Sequence, residues 1–200
     1  TLHFIQMAMF VVVPGALIAT GDLPVSEHWK VYLPVVLASF VLMLPPIFYA
    51  ERRARMKPVF VGSVFVLLLA QGGFLYGSGL FNALVANLVV FFVVFNILEA
   101  SLPSLVSRIA PPQAKGTALG IYNTTQSFGL FLGGAAGGIL AQHYGASGVF
   151  GVGIALALIW LLIAVTMQAP PVVALREFFI QPHVDIEHLR EQLAGLPCSV

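Results

Sequence analysis

Charge is scarce in this sequence. Lys, Arg, Asp and Glu make up 8% of its 200 residues, where a soluble domain carries about 25%. The formal net charge is +1 and no basic stripe is present, which argues against a nucleic-acid partner. Cysteine occurs once, at Cys198, so neither an internal disulfide nor a thiolate metal site is expected. Also missing are the Gly-x-Ser-x-Gly nucleophile elbow, the Gly-x-x-x-x-Gly-Lys phosphate loop and the His-Glu-x-x-His zinc motif. The chain is therefore not expected to be an enzyme, and no cofactor or metal is expected. His3, His28 and His143 fall near expected helix ends, and His183 and His188 in the tail. These positions read as interfacial or solvated rather than as ligands.

What is abundant is apolar: 59% of the residues are hydrophobic. A helix needs about 20 such residues to cross roughly 30 Å of hydrocarbon. The first two spans are expected at 2–20 and 31–50. No Asp, Glu, Lys or Arg occurs from Pro58 to Leu98, and Gly77-Ser78-Gly79 divides that run into spans at 59–76 and 81–107. The same four residue types are absent from Gly116 to Leu175, where Gln142-His143-Tyr144-Gly145 separates spans at 116–141 and 149–167. Transmembrane β-strands would be shorter and would alternate strictly, which these runs do not. The reading is an all-α membrane protein, with a six-helix bundle over 1–168 and a tail over 169–200. The chain opens on Thr1 and is apolar from Leu2, without the basic start of a secretory signal. It reads as a fragment entered in the middle of its first helix.

Loop charge predicts orientation. The second loop carries Glu51, Arg52, Arg53, Arg55 and Lys57, and the fourth carries Arg108 and Lys115. On the opposite side Lys30 is the only Lys or Arg. The positive-inside rule then places the even loops and the tail in the cytoplasm. Glu51, Arg52, Arg55 and Lys57 read either as a cytoplasmic gate or as a topology anchor.

Glu99 is the candidate for chemistry. It lies nine residues before Arg108, about 13 Å along a helix rising 1.5 Å per residue. A carboxylate at that depth costs about 2.5 kcal/mol or more, so it must face the bundle interior or water. Asn123 and Gln126 lie eight and eleven residues beyond Lys115, at depths of about 12 and 16 Å. Asn96 shares a helix face with Glu99, and Asn123 with Gln126, by i,i+3 spacing. Four polar side chains are thus expected to converge near the membrane middle. Two readings stay open: a cavity with a group that takes up and releases protons, or a polar clamp between helices. The fifth span is rich in glycine, and Gly129, Gly133 and Gly137 form a small-xxx-small row suited to close helix packing. Prolines 34, 45, 46 and 103 are expected to kink their helices.

These residues carry a family resemblance. The stretch from Ser107 to Gly116, followed by Ala118-x-Gly120 and the glycine-rich span, looks like the link between the tenth and eleventh helices of the major facilitator superfamily. Glu51-Arg52-Arg53-Ala54-Arg55-Met56-Lys57 is similar to that family's loop motif between helices eight and nine. It departs from the motif in Glu51 for Asp, Ala54 for Gly and Ile47 for the leading Gly. The segments His28 to Leu33, Phe95-Asn96-x-x-Glu99-Ala100-x-Leu102-Pro103 and Met167-x-x-Pro170-Pro171 resemble the YajR-type, proton-driven efflux branch. The resemblance implies helices 7–12 of a twelve-helix fold, with an N-terminal six-helix half as partner. It implies proton-coupled export of small molecules across a bacterial inner membrane, with Glu99, Asn96, Asn123 and Gln126 lining the path. A receptor or scaffold that keeps the fold without transporting is the alternative. The branch carries a cytosolic ferredoxin-like βαββαβ module after its last helix. Here Val173 to Gln181 reads as a strand and Ile186 to Ala194 as a helix capped by Asp185 and closed by Gly195. The tail would be the truncated start of that module.

Overall fold

The computed structural model describes residues 1–53, 55–77 and 79–167. The tail at 169–200, with its expected strand and helix, lies outside the described residues. Among those described, the apolar runs form five α-helices: α1 (Leu2–Gly21), α2 (Trp29–Arg52), α3 (Met56–Gly77), α4 (Phe81–Ile109) and α5 (Lys115–Thr166). Each is long and apolar enough to cross a membrane. Helices are the natural solution there, because every backbone group finds its partner within the segment. Hydroxyls inside the helices are likewise satisfied locally. Thr20 donates to the Ala16 carbonyl, Ser63 to Val59 and Ser101 to Ile97.

The last helix differs from the expectation of two spans parted by a loop. It runs for 52 residues without a loop, which would be about 78 Å if straight. Its continuity is broken at one residue, Gly145, whose φ of 64° and ψ of −163° are non-helical. That conformation is essentially confined to glycine. The Gln142–Gly145 signal thus marks a sharp break rather than an open connection. The arms at 115–144 and 146–166 continue up to it from both sides.

Contacts fix how the helices run. Gly21 meets the Phe81 ring at one end of α1, and His3 meets Glu99 at the other, so α1 and α4 are antiparallel. Gly133 sits against Phe4 and Gly137 against Ala8, so α1 runs parallel to the first arm of α5. The second arm packs on α3, where Phe74 stacks on Phe150 with centroids 5.2 Å apart. Phe91 meets Phe74 edge-on and continues the aromatic row to Phe95. Asn87 ties α4 to α3 by donating to the Ala70 carbonyl at 2.7 Å. Leu33, Leu37, Phe40, Val41 and Phe48 on α2 point outward and are exposed, as expected of a helix face in lipid.

Candidate functional site

The polar residues of the bundle do not gather into one cluster. Glu99 and Gln126 meet: the Gln126 amide nitrogen donates to Glu99 Oε1 at 2.6 Å. A third member comes from α1, where His3 Nε2 lies 2.6 Å from the same amide nitrogen and 3.2 Å from Glu99 Oε2. The latter distance is that of an ion pair, yet Oε2 accepts no hydrogen bond among the described residues. The imidazole is close to the oxygen but is not aimed along a bond to it. The His3 side chain is 11% exposed and that of Glu99 34%, although Glu99 Oε2 itself is buried.

His3 was expected at an interface and is instead buried. Its ring also meets Phe95 edge-on at 5.7 Å, which fixes the imidazole against α4. The signal that could have found it is helix register. His3 is 18 residues from Gly21 (21 − 3), and Glu99 is 18 from Phe81 (99 − 81), on two antiparallel helices whose far ends touch. His3 and Gln126 line a pocket of about 200 Å³ whose walls also include Leu102, Tyr122, Thr125 and Trp160. The Tyr122 hydroxyl is buried and has no hydrogen-bond partner among the described residues.

Asn96 leaves the group. Its amide donates to Ser39 Oγ on α2 at 2.8 Å, and Ser39 passes the bond on to the Val36 carbonyl. Asn123 is exposed on α5. The glycines divide as well. A Cβ at Gly133 or Gly137 would lie 2.7 Å from a backbone Cα of α1 (Phe4 and Ala8), and one at Gly129 would make ordinary contact with His3 and Phe4. In the second loop Glu51, Arg52, Arg53 and Arg55 are exposed. Arg55 reaches the Tyr49 hydroxyl at 3.3 Å, while Lys57 begins α3 half-buried. No group of three His, Cys, Asp or Glu side chains able to hold a metal occurs among the described residues.

A model of the Major Facilitator Superfamily matches residues 3–193. The chain belongs to that superfamily. Members of that superfamily are membrane transporters. It is 43% identical over 173 residues to the inner membrane transport protein YajR of Escherichia coli (strain K12), covering 86% of this chain and 38% of YajR. It is 32% identical over 132 residues to the uncharacterized transporter BU466 of Buchnera aphidicola subsp. Acyrthosiphon pisum, covering 66% of this chain and 34% of that protein. A further uncharacterized transporter, from Buchnera aphidicola subsp. Baizongia pistaciae, is 27% identical over 165 residues, 82% of this chain and 42% of its own length. The chain therefore spans less than half the length of these relatives. For a superfamily member, the Glu99–Gln126–His3 group is the one place in the described helices where ionisable side chains from separate spans touch.

Proposed function

We propose that this chain is the C-terminal half of a twelve-helix secondary transporter that exports small molecules in exchange for protons. The two arms of α5 count as separate crossings in this reading, which makes six. The half lies in a bacterial inner membrane, with the basic loops and the tail in the cytoplasm. Its partners are the lipid bilayer, an N-terminal six-helix half, a small-molecule substrate and protons. Support comes from the superfamily match, from the likeness to the inner membrane transport protein YajR and from the loop charges.

One observation carries the proton coupling: Glu99, on an apolar helix, touches a second ionisable group, His3, at 3.2 Å. Ionisable residues within membrane spans mark ion and proton pathways when they pair with one another. A pure clamp would use an amide as well as an acid. Glu99→Gln in the complete transporter separates the two, because it keeps volume and hydrogen bonding but removes titration. Proton-driven efflux of small fluorescent dyes, compared at matched protein level, is expected to fall and to lose its pH dependence. Full proton-driven efflux in the Gln variant would make Glu99 structural. A receptor or scaffold would show no efflux with either residue.

A further inference from the structure

The geometry points to Gln126 as a positioning residue that holds the proton-free state of a His3–Glu99 pair and lets go of His3 when a proton arrives. This rests on the reading of Glu99 as the proton-coupling group. The Gln126 amide nitrogen stands 2.6 Å from both Glu99 Oε1 and His3 Nε2. An amide nitrogen carries two N–H donors and accepts nothing. Both neighbours must then be acceptors: Glu99 Oε1, and a neutral imidazole with its proton on Nδ1. For His3 the arrangement fits the neutral form alone.

A place for the next proton is already built. Glu99 Oε2 accepts no hydrogen bond among the described residues and lies 3.2 Å from His3 Nε2. A proton that bonds to Nε2 turns that nitrogen from acceptor into donor. The imidazolium N–H can no longer face the amide N–H, and it donates to Oε2 instead. Gln126 keeps its bond to Oε1. The net change is one bond from α1 to α5 exchanged for one from α1 to α4. Proton uptake thus changes which helix holds α1.

Few other ionisable groups face this pair. Tyr122 of α5 lines the adjoining pocket with His3 and Gln126. The amino group of Thr1 precedes His3 by two residues, and an upstream segment would convert it to a peptide. On α4 itself Arg108 is bonded to Ser104, nine residues beyond Glu99. The Lys, Arg and Glu residues of α2 and α3, namely Lys30, Glu51, Arg52 and Lys57, stand within two residues of their helix ends.

The sign of the test follows from the exchange. Gln126 favours the proton-free state because its bond to Nε2 exists only there. Removing the amide makes proton uptake easier, so the midpoint moves to higher pH. Losing one buried hydrogen bond corresponds to roughly tenfold in proton affinity, or about one pH unit. The probe is the proton itself, followed by ¹⁵N-histidine NMR on the purified complete transporter, with the His3 signal assigned by its loss in His3→Phe. At high pH His3 should be the Nδ1–H tautomer. Gln126→Met should raise its midpoint by about one unit. Gln126→Asn, one methylene shorter, cannot reach both partners and should shift the midpoint the same way, which covers the case where the Met variant does not fold. An Nε2–H tautomer in the unaltered protein, or a midpoint unmoved in the Gln126 variants, overturns the switch. Because this titration needs no flux, it fails separately from the Glu99→Gln efflux test. Lost pH dependence in that test with unmoved Gln126 midpoints would discard the switch and keep the transporter reading. Full efflux by Glu99→Gln would discard the switch together with the proton-coupling role of Glu99, while the transporter itself would stand.

Discussion

Replacing Gly133 with alanine tests whether α1 and α5 are as close as their backbones indicate. An ideal Cβ at Gly133 falls 2.7 Å from Phe4 Cα and closer still to the Phe4 carbonyl oxygen, whereas ordinary Cβ contacts begin at 3.4 Å. The shortfall is at least about 0.7 Å (3.4 − 2.7), and the obstacle is backbone, so no rotamer change relieves it. The helices must separate by about that much, and overpacking of this kind costs about 1–3 kcal/mol. For a domain of this size each kcal/mol is worth about 2–4 °C in Tm. Gly134, the next residue, has nothing within 4 Å of its Cβ position. Gly134→Ala is the matched control and should be neutral or slightly stabilising, since alanine is the better helix former. Thermal unfolding of the two variants in the same detergent measures the difference. Equal Tm values would refute the close approach of α1 to α5. The same separation should lengthen the His3–Gln126 bond from 2.6 Å to beyond 3.2 Å, outside good hydrogen-bond geometry.

Two further outcomes are expected. Gly145→Ala forces a Cβ into φ 64°, ψ −163°, at a cost of about 1–3 kcal/mol; a Tm equal to that of the unaltered protein would mean that the break at Gly145 is not the fixed feature described. Cysteine at Gln113 should resist an impermeant thiol reagent added outside intact cells, and cysteine at Tyr144 should react, both in a Cys198→Ser background; the opposite pattern would invert the proposed orientation.

Much of the fold was legible because hydrophobic length and glycine breaks act locally. The breaks at Gly77–Gly79 and at Gly145 come where glycine makes a helix cheap to stop or turn. The last break was harder to read. Its flanking residues Gln142, His143 and Tyr144 are polar or amphipathic and suggest a loop, yet they remain helical up to Gly145. The glycine rows show the same limit. Gly129, Gly133 and Gly137 have the same four-residue spacing as the pairs Gly116/Gly120 and Gly134/Gly138, but only the first row meets α1. No neighbouring atom lies within 4 Å of a Cβ placed at Gly116, Gly120, Gly134 or Gly138. Spacing identifies a small-residue stripe, whereas only the neighbouring helix shows which stripe is used.

The polar residues divide for a related reason. Three residues along a helix turn the chain by about 300°, which leaves i and i+3 some 60° apart. That angle is small on an isolated helix and decisive on α4, which has α2 on one side and α1 with α5 on the other. Asn96 therefore falls to Ser39 of α2, and Glu99 falls to Gln126 and His3. On α5 the same 60° leaves Asn123 exposed while Gln126 turns inward. Depth along the helix was estimated well enough to bring Glu99 level with Gln126, but depth says nothing of azimuth. The missing partner, His3, sits beside the glycine seam, against which it packs through Gly129. Gln126 lies one turn before Gly129 on the same face, so the seam and the polar tie are continuous. Helices in lipid gain little from apolar contact and associate through close packing and hydrogen bonds. Here the glycines bring α1 near enough for an amide to reach an imidazole, and the amide is shared with the carboxylate of a third helix. Packing and protonation act on one helix pair, which is why loosening either should be felt by the other.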